Sequence, residues 1–261
     1  MPVWNGARFM DRAIASVVCQ TSPNWELLIV DDGSTDDSMA RAERWKDLVN
    51  THWGEEKIQI FSTGIANSGP QVGRNLAAKQ ARYDIFAYLD YDDLFSFRRI
   101  ESLLPNFKRF DLIFAPYEIQ EKEGLRLYHP GSLWEKQSYP CSSEGERTPS
   151  FETWAKIALK VTNISVPLGV AHRRQCFDEV GGFQPGIIVG DDGILWRRMT
   201  ERGARIGFCP IVAGRYLVRP DSQARTRKPF SISSFEMDFN HPLGSNGQYL
   251  DAEWFASLKK K

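Results

Sequence analysis

The run Phe86-Ala87-Tyr88-Leu89-Asp90-Tyr91-Asp92-Asp93 carries four apolar or aromatic residues straight into a cluster of three carboxylates. The apolar half reads as a buried strand, and the acids stand at its carboxyl end. Carboxylates held this close repel one another and resist leaving water, so a positive group belongs among them. The simplest candidate is a hard divalent cation with oxygen ligands, Mg²⁺ or Mn²⁺, carrying a phosphate-bearing substrate. An acidic surface turn after a strand is the plain alternative, and the segment alone does not separate the two.

Upstream, Trp25-Glu26-Leu27-Leu28-Ile29-Val30 is a nearly continuous apolar run, as expected of a parallel strand covered on both faces. It stops at Asp31-Asp32-Gly33-Ser34-Thr35-Asp36-Asp37. Gly33 allows a tight turn there, and Ser34 with Asp37 has the capping-box spacing that opens a helix ending around Val49. An amphipathic helix over Asp11–Gln20 precedes this strand. Lys57–Ser62 and Ile85–Leu89 read as two further strands, separated by a loop from Gly64 to Gly73 and a helix from Arg74 to Ala81. Strands alternating with helices argue for a parallel sheet with crossover helices. Met1-Pro2-Val3-Trp4-Asn5-Gly6 reads as a loop following a strand, so the expected fold lacks its first N-terminal strand.

Downstream, a helix after Arg98 stops at Pro105, and Asp111–Tyr117 reads as a strand. Residues 118–148 loosen into a loop or hairpin with Trp134 and Tyr139 as isolated aromatics. Phe151–Leu159 is an amphipathic helix, and Ser165–His172 is a short strand in which His172 reads as a core histidine. Arg174–Val180 is a helical turn stopped by Gly181-Gly182. Gly190-Asp191-Asp192 leads into a helix ending near Glu201, closed by Gly203. Strands over Ala204–Pro210 and Val212–Val218 follow, and the segment beyond Phe230 is left unassigned.

The bulk properties narrow the function. The 261 residues are 42% hydrophobic and 25% charged, as in an ordinary globular protein. Lys+Arg and Asp+Glu are equal at 33 each, so no basic field points to nucleic acid. Cys19, Cys141, Cys176 and Cys209 are widely spaced, which suits reduced thiols in a cytoplasmic protein better than a disulfide framework. No apolar run reaches the length of a membrane span. GxGxxG, the phosphate-binding lysine loop, GxSxG and zinc spacings are all absent, which disfavours dinucleotide oxidoreductases, P-loop ATPases, serine hydrolases and zinc enzymes.

Several blocks in order carry a resemblance. Pro2-x-Trp4-Asn5-Gly6, Gln20-Thr21, Val30-Asp31-Asp32-Gly33-Ser34-Thr35-Asp36, Gly73-Arg74-Asn75 and Leu89-Asp90-Tyr91-Asp92-Asp93 resemble the donor-side blocks of family-2 glycosyltransferases. Val180-Gly181-Gly182-Phe183, Gly190-Asp191-Asp192 and Trp196-Arg197-Arg198 resemble that family's acceptor-side region. The likeness spans residues 1 to about 225. It implies an α/β fold of the GT-A nucleotide-diphospho-sugar transferase type, with a mostly parallel central sheet flanked by helices. Residues 1–117 would form the nucleotide-sugar-binding half and 118–230 the acceptor-binding half, with 231–261 a tail of uncertain structure.

The resemblance also implies roles. Asp32 would accept the imide N–H of a pyrimidine base, with Asp31 supporting that loop. Pro2 and Trp4 would line the base pocket, and Arg74 would sit near the base or the diphosphate. Asp90 would face the ribose. Asp92 would ligate Mn²⁺ or Mg²⁺, with Asp93 as second ligand or orienter. Asp192 would be the general base of an inverting displacement, supported by Asp191, which stands where the family usually has glutamate. Tyr216-x-x-Arg219-x-Asp221-Ser222-Gln223-x-Arg225 resembles the family's polar segment that closes over the diphosphate, where Arg219 or Arg225 would clamp phosphate oxygens. The expected donor is a nucleotide-diphospho-sugar, a UDP-sugar by preference. The acceptor is a glycan, a lipid-linked saccharide or a protein, as in surface polysaccharide synthesis, with the enzyme in the cytoplasm or at the inner face of the membrane. A sugar-nucleotide-binding remnant without activity and a nucleotidyltransferase are the competing readings. The second should carry a lysine- and glycine-rich triphosphate loop, which is not seen.

Overall fold

The computed structural model describes residues 1–122, 124–130, 151–160, 163–184, 186–187 and 190–219. Trp134, Tyr139, Cys141, the polar segment beyond Arg219 and the tail from 231 lie outside them. The first third alternates as its apolar runs predict: β1 (Pro2–Val3), α1 (Met10–Val18), β2 (Leu27–Asp31), α2 (Ser38–Trp53), β3 (Ile58–Ser62), α3 (Pro70–Gln80) and β4 (Ile85–Ala87). β1, β2 and β3 make an all-parallel sheet. β1 corrects the expectation of a missing first strand, because Pro2 pairs with Val30 and Val3 with Asp31. Two residues are too few to display a period, so this strand is invisible to pattern reading.

The remainder comprises β5 (Leu94–Phe95), α4 (Arg99–Leu103) running into a 3₁₀ turn (Leu104–Lys108), β6 (Leu112–Phe114), β7 (Tyr117–Glu121) and β8 (Gly124–Tyr128). Then come α5 (Phe151–Ala158), β9 (Val170–Arg173), α6 (Arg174–Val180), α7 (Asp191–Glu201), β10 (Ile206–Phe208) and β11 (Gly214–Leu217). The single strand expected over 111–117 is split. Pro116 lacks the N–H that a ladder needs, and the chain changes sheet there, from β6 to β7.

Parallel pairing holds for the first sheet, for β10 with β6 and for β11 with β7. β9 runs antiparallel to both β4 and β6, and the order β10-β6-β9-β4 is therefore mixed. The third sheet, β5-β11-β7-β8, is mixed as well. Along β6 the side chains alternate: Ile113 joins a core with α1 and α2, while Leu112 and Phe114 join a second core with α6 and α7. Both faces of that sheet are thus covered. Three parallel strands, β1 to β3, send their following loops to one edge, where ligands of open α/β sheets bind.

Candidate active site

The loops after β1 and β2 are laced together by hydrogen bonds. Asn5 N–H donates to Ser34 Oγ at 3.0 Å, Gly6 N–H to Ser38 Oγ at 2.8 Å and Ala7 N–H to Asp36 Oδ2 at 3.0 Å. In return Thr35 N–H donates to Asn5 Oδ1 at 2.8 Å. Ser34 is therefore spent on the neighbouring loop and forms no capping box. α2 starts later, at Ser38, with Asp37 ahead of it making no side-chain cap. Gly33 has φ +81°, and a Cβ there would stand 2.6 Å from Ala66 Cα. Only glycine lets the loop after β3 close onto this turn.

Asp32 lies under that closure, 4% exposed. Its Oδ1 accepts the hydroxyls of Thr63 (3.0 Å) and Ser68, and Oδ2 accepts Gly69 N–H at 2.8 Å. A carboxylate has about four lone-pair sites, so roughly one remains for a ligand donor. Asp31 accepts Ser34 N–H at 2.9 Å and holds the turn. Pro2 is buried in β1 beside Gly73, whereas Trp4 is 37% exposed.

The Asp90–Asp93 turn is neutralised by arginines. Asp90 Oδ1 accepts Arg74 Nη2 at 2.7 Å. Asp92 Oδ2 accepts Arg219 Nε at 2.8 Å, and Arg219 Nη2 also donates to Tyr91 Oη at 3.0 Å. Burial, then Asp90, raise the Asp92 carboxyl to about 6 against the pull of Arg219. Asp93 turns inward, 2% exposed, and accepts Leu217 N–H at 3.0 Å, which ties the turn to β11. Burial, with Asp92 and Asp90 beside it, pushes the Asp93 carboxyl well above the usual range.

Arg74 joins the two halves of the chain. Its guanidinium is buried on α3, bonded to Asp90 and 3.5 Å from Asp191 Oδ2. It lies over the Phe183 ring at 5.3 Å and the Tyr88 ring at 6.0 Å. Burial opposes its charge, but Asp90 and Asp191 outweigh that and hold it protonated above its ordinary value. This places Arg74 between an acid of the donor-side block and an acid of the acceptor-side block.

Asp191 and Asp192 open α7, both nearly buried. Burial, followed by the attraction of Arg74 and the repulsion of Asp192, leaves the Asp191 carboxyl at about 7. Burial likewise raises Asp192, against its bond from Gly193 N–H at 2.8 Å, Arg74 and a bond from the Asn163 side chain. Asp191 Oδ2 and Arg74 Nε accept and donate no hydrogen bond among the described residues. Unfilled buried polar atoms facing a cluster of charges mark a place where a ligand could complete the network. His172, by contrast, is a satisfied core residue: its ring bonds Tyr88 Oη at 2.6 Å and Arg173 O at 2.9 Å, and burial lowers it to about 4.

Two positioning residues escaped pattern reading. Asn75 donates to Phe183 O and accepts Phe183 N–H, each at 2.9 Å, which docks the Gly181-Gly182-Phe183 turn on α3. Gly182 has φ +72° and a Cβ there would meet Asn75 Oδ1 at 2.7 Å. Asn163 is the second, and its only sequence signal is an ordinary polar loop position. Asn75 at least stands next to Arg74 in a quoted block.

Asp90 and Asp92 carry hard oxygen donors, and Asp92 feels the charge of Asp90. Two carboxylates are what a cation shares with substrate phosphates, so the chemistry fits. As they stand, no three His, Cys, Asp or Glu among the described residues are grouped to hold a metal without such help.

Residues 1–174 match the family described as glycosyl transferase family 2. An uncharacterized glycosyltransferase of Rickettsia felis is 36% identical over 121 residues, 46% of this chain and 19% of that protein. The putative teichuronic acid biosynthesis glycosyltransferase TuaG of Bacillus subtilis is 32% identical over 128 residues, 48% of each. The chain therefore matches only about a fifth to a half of the length of these curated relatives. Among solved structures, S. aureus TarS in complex with UDP-GlcNAc aligns with TM-score 0.60 and 15% identity, over 87% of this chain and 60% of that one. The mannosyltransferase PcManGT from Pyrobaculum calidifontis, in complex with GDP-Man and Mn²⁺, aligns with TM-score 0.59 and 19% identity, over 84% of this chain and 56% of that one. These likenesses give the fold as GT-A-type.

Proposed function

The chain belongs to glycosyl transferase family 2, and we propose that it is an inverting enzyme moving a sugar from a nucleotide-diphosphate donor to an acceptor hydroxyl in surface polysaccharide or other glycan synthesis. The observation that carries this reading is Arg74, which draws Asp90 of the strand-end turn and Asp191 of the α7 start into one buried charge cluster. A transferase must bring the acceptor hydroxyl to about 3–3.5 Å from one sugar carbon, with the donor diphosphate leaving from the opposite face and the base within hydrogen-bond reach of that hydroxyl. Residues 1–117 would serve the donor and 118–230 the acceptor.

In this reading the base edge rests near Asp32 and Trp4, with Asp31 and Pro2 holding the pocket in shape, and the ribose lies against Asp90. Asp92 and Asp90 would hold Mn²⁺ or Mg²⁺, which when bound supplies charge stabilisation at the departing diphosphate. Asp192 takes the proton from the acceptor hydroxyl as that oxygen attacks the anomeric carbon, and the configuration inverts. Asp191 and Arg74 set the charge around that base. Arg219 meets the phosphates, as the Asp92 pairing already shows a guanidinium within reach of the turn. Relatives' complexes with UDP-GlcNAc and GDP-Man support a nucleotide-sugar donor, and a UDP-sugar is the first choice. No helix among the described residues is long and apolar enough to cross a membrane. Action in the cytoplasm, at the membrane's inner face for a lipid-linked acceptor, fits the pathway.

The test is incubation with UDP-, GDP- and dTDP-sugars plus Mn²⁺ and a panel of saccharide acceptors. Release of nucleoside diphosphate with an inverted product supports the reading. Tight donor binding without release or transfer to any acceptor would sink it.

A further inference from the structure

Arg219 makes contacts that a plain phosphate clamp would not. Its guanidinium is spent on the turn itself: Nε on Asp92 Oδ2 at 2.8 Å and Nη2 on Tyr91 Oη at 3.0 Å. The Phe9 ring backs it at 4.8 Å. Both members of this ion pair are about 15% exposed or less, so solvent screens it little. Asp90 is likewise matched by Arg74. Asp90 and Asp92 thus each already have a guanidinium on one oxygen, while Asp93 is turned inward onto Leu217 N–H. A free dication approaching this turn gains little net attraction and meets the Arg219 charge at close range. A dication carrying a diphosphate is different, because its phosphate oxygens give the displaced guanidinium an equally good planar partner.

We propose that Arg219 is a built-in counter-cation for the Asp90–Asp93 turn. It competes with free divalent metal at Asp92 and passes to the diphosphate when metal and nucleotide arrive together. The exchange is a rotation of the Arg219 side chain, with the backbone two residues earlier held by Leu217 N–H on Asp93. Metal and nucleotide then bind as a unit, and Arg219 sets that coupling. This rests on the glycosyltransferase reading for the identity of the diphosphate, though the competition at Asp92 does not.

The experiment is titration of the full chain with Mn²⁺ alone, read by electron paramagnetic resonance of the free aquo ion, then with UDP, GDP and dTDP in the presence of Mn²⁺, read by calorimetry. Wild type should bind Mn²⁺ alone weakly. Arg219→Gln should bind Mn²⁺ alone at least about tenfold more tightly, and the nucleoside diphosphate with Mn²⁺ at least about tenfold more weakly. Arg219→Lys, which keeps the charge, should leave Mn²⁺ alone weak and serves as the folding control. Equal or weaker Mn²⁺ binding by Arg219→Gln overturns the proposal, and the transferase reading survives if wild type still binds a nucleoside diphosphate with Mn²⁺. Failure of wild type to bind any of the three with Mn²⁺ overturns both.

Discussion

Replacing Arg74 with methionine removes a guanidinium that two carboxylates share. The Arg74 side chain is 5% exposed and that of Asp191 7%, while Asp90 is 29% exposed. Removing one partner of a buried ion pair costs about 3–5 kcal/mol, because the remaining charge stays out of water. Asp90 can recover some hydration, so the larger share falls on Asp191. That carboxyl escapes by taking a proton. It already titrates at about 7 through burial, with Arg74 pulling it down and Asp192 pushing it up, and losing Arg74 sends it higher. The sign follows from linkage. Between the ordinary carboxylate range and about pH 7 the folded protein holds this proton and the unfolded chain does not, so the group's contribution to stability falls as pH rises. In Arg74→Met the decline continues to higher pH. The variant should therefore lose about 3–5 kcal/mol at pH 8 and roughly half that at pH 5, where Asp191 is largely neutral in both proteins. Urea denaturation at the two pH values measures it. A loss independent of pH, or one under about 1 kcal/mol at pH 8, would show that Arg74 is not the counter-charge of this pair.

Three further outcomes are expected. Asp192→Asn should lower transfer by about 10²–10⁴-fold while donor affinity, measured by calorimetry, stays within a factor of about three; a large loss of donor affinity would move the base elsewhere. Asp93→Asn should keep metal-dependent donor binding, since an amide oxygen can still accept Leu217 N–H and burial already disfavours the Asp93 charge, whereas Asp92→Asn should abolish it; equal losses in both would make Asp93 a ligand. Asn75→Ala should cost about 1–3 kcal/mol in thermal or urea unfolding, because both polar groups of Phe183 lose their partner; an unchanged midpoint would mean that water replaces the amide without loss.

Much of the first ninety residues is legible from sequence because its signals are local. Val30 into Asp31-Asp32 is a strand end that an apolar run followed by acids reveals, and such runs place β2, β3 and β4 to within a few residues, although β4 ends at Ala87, two residues before the expected Leu89. What stayed hidden was set at long range. No local pattern says that β9 runs antiparallel between β4 and β6, since a short apolar run carries no direction. Ser34 and Asp37 have capping-box spacing, yet Asn5, about thirty positions earlier, donates its N–H to the Ser34 hydroxyl and accepts Thr35 N–H on its side chain, which commits this turn to the loop after β1.

The same logic governs the charges. Spacing shows which acids sit together but not what neutralises them, because the partner of each lies elsewhere in the chain. Arg74 reaches Asp90 across a strand and a turn, and Asp191 across more than a hundred positions of chain. Asp92 is met by Arg219, 127 positions on, and Asp93 by a backbone N–H 124 positions on. Three acids that look equivalent in sequence thus become three different things: one shared with α7, one held by an exchangeable cation, and one buried as an anchor. A turn built this way can respond to a diphosphate through Asp92 and Arg219 while Asp93 keeps its backbone still. The division of labour, rather than the number of carboxylates, is what the fold adds to the motif.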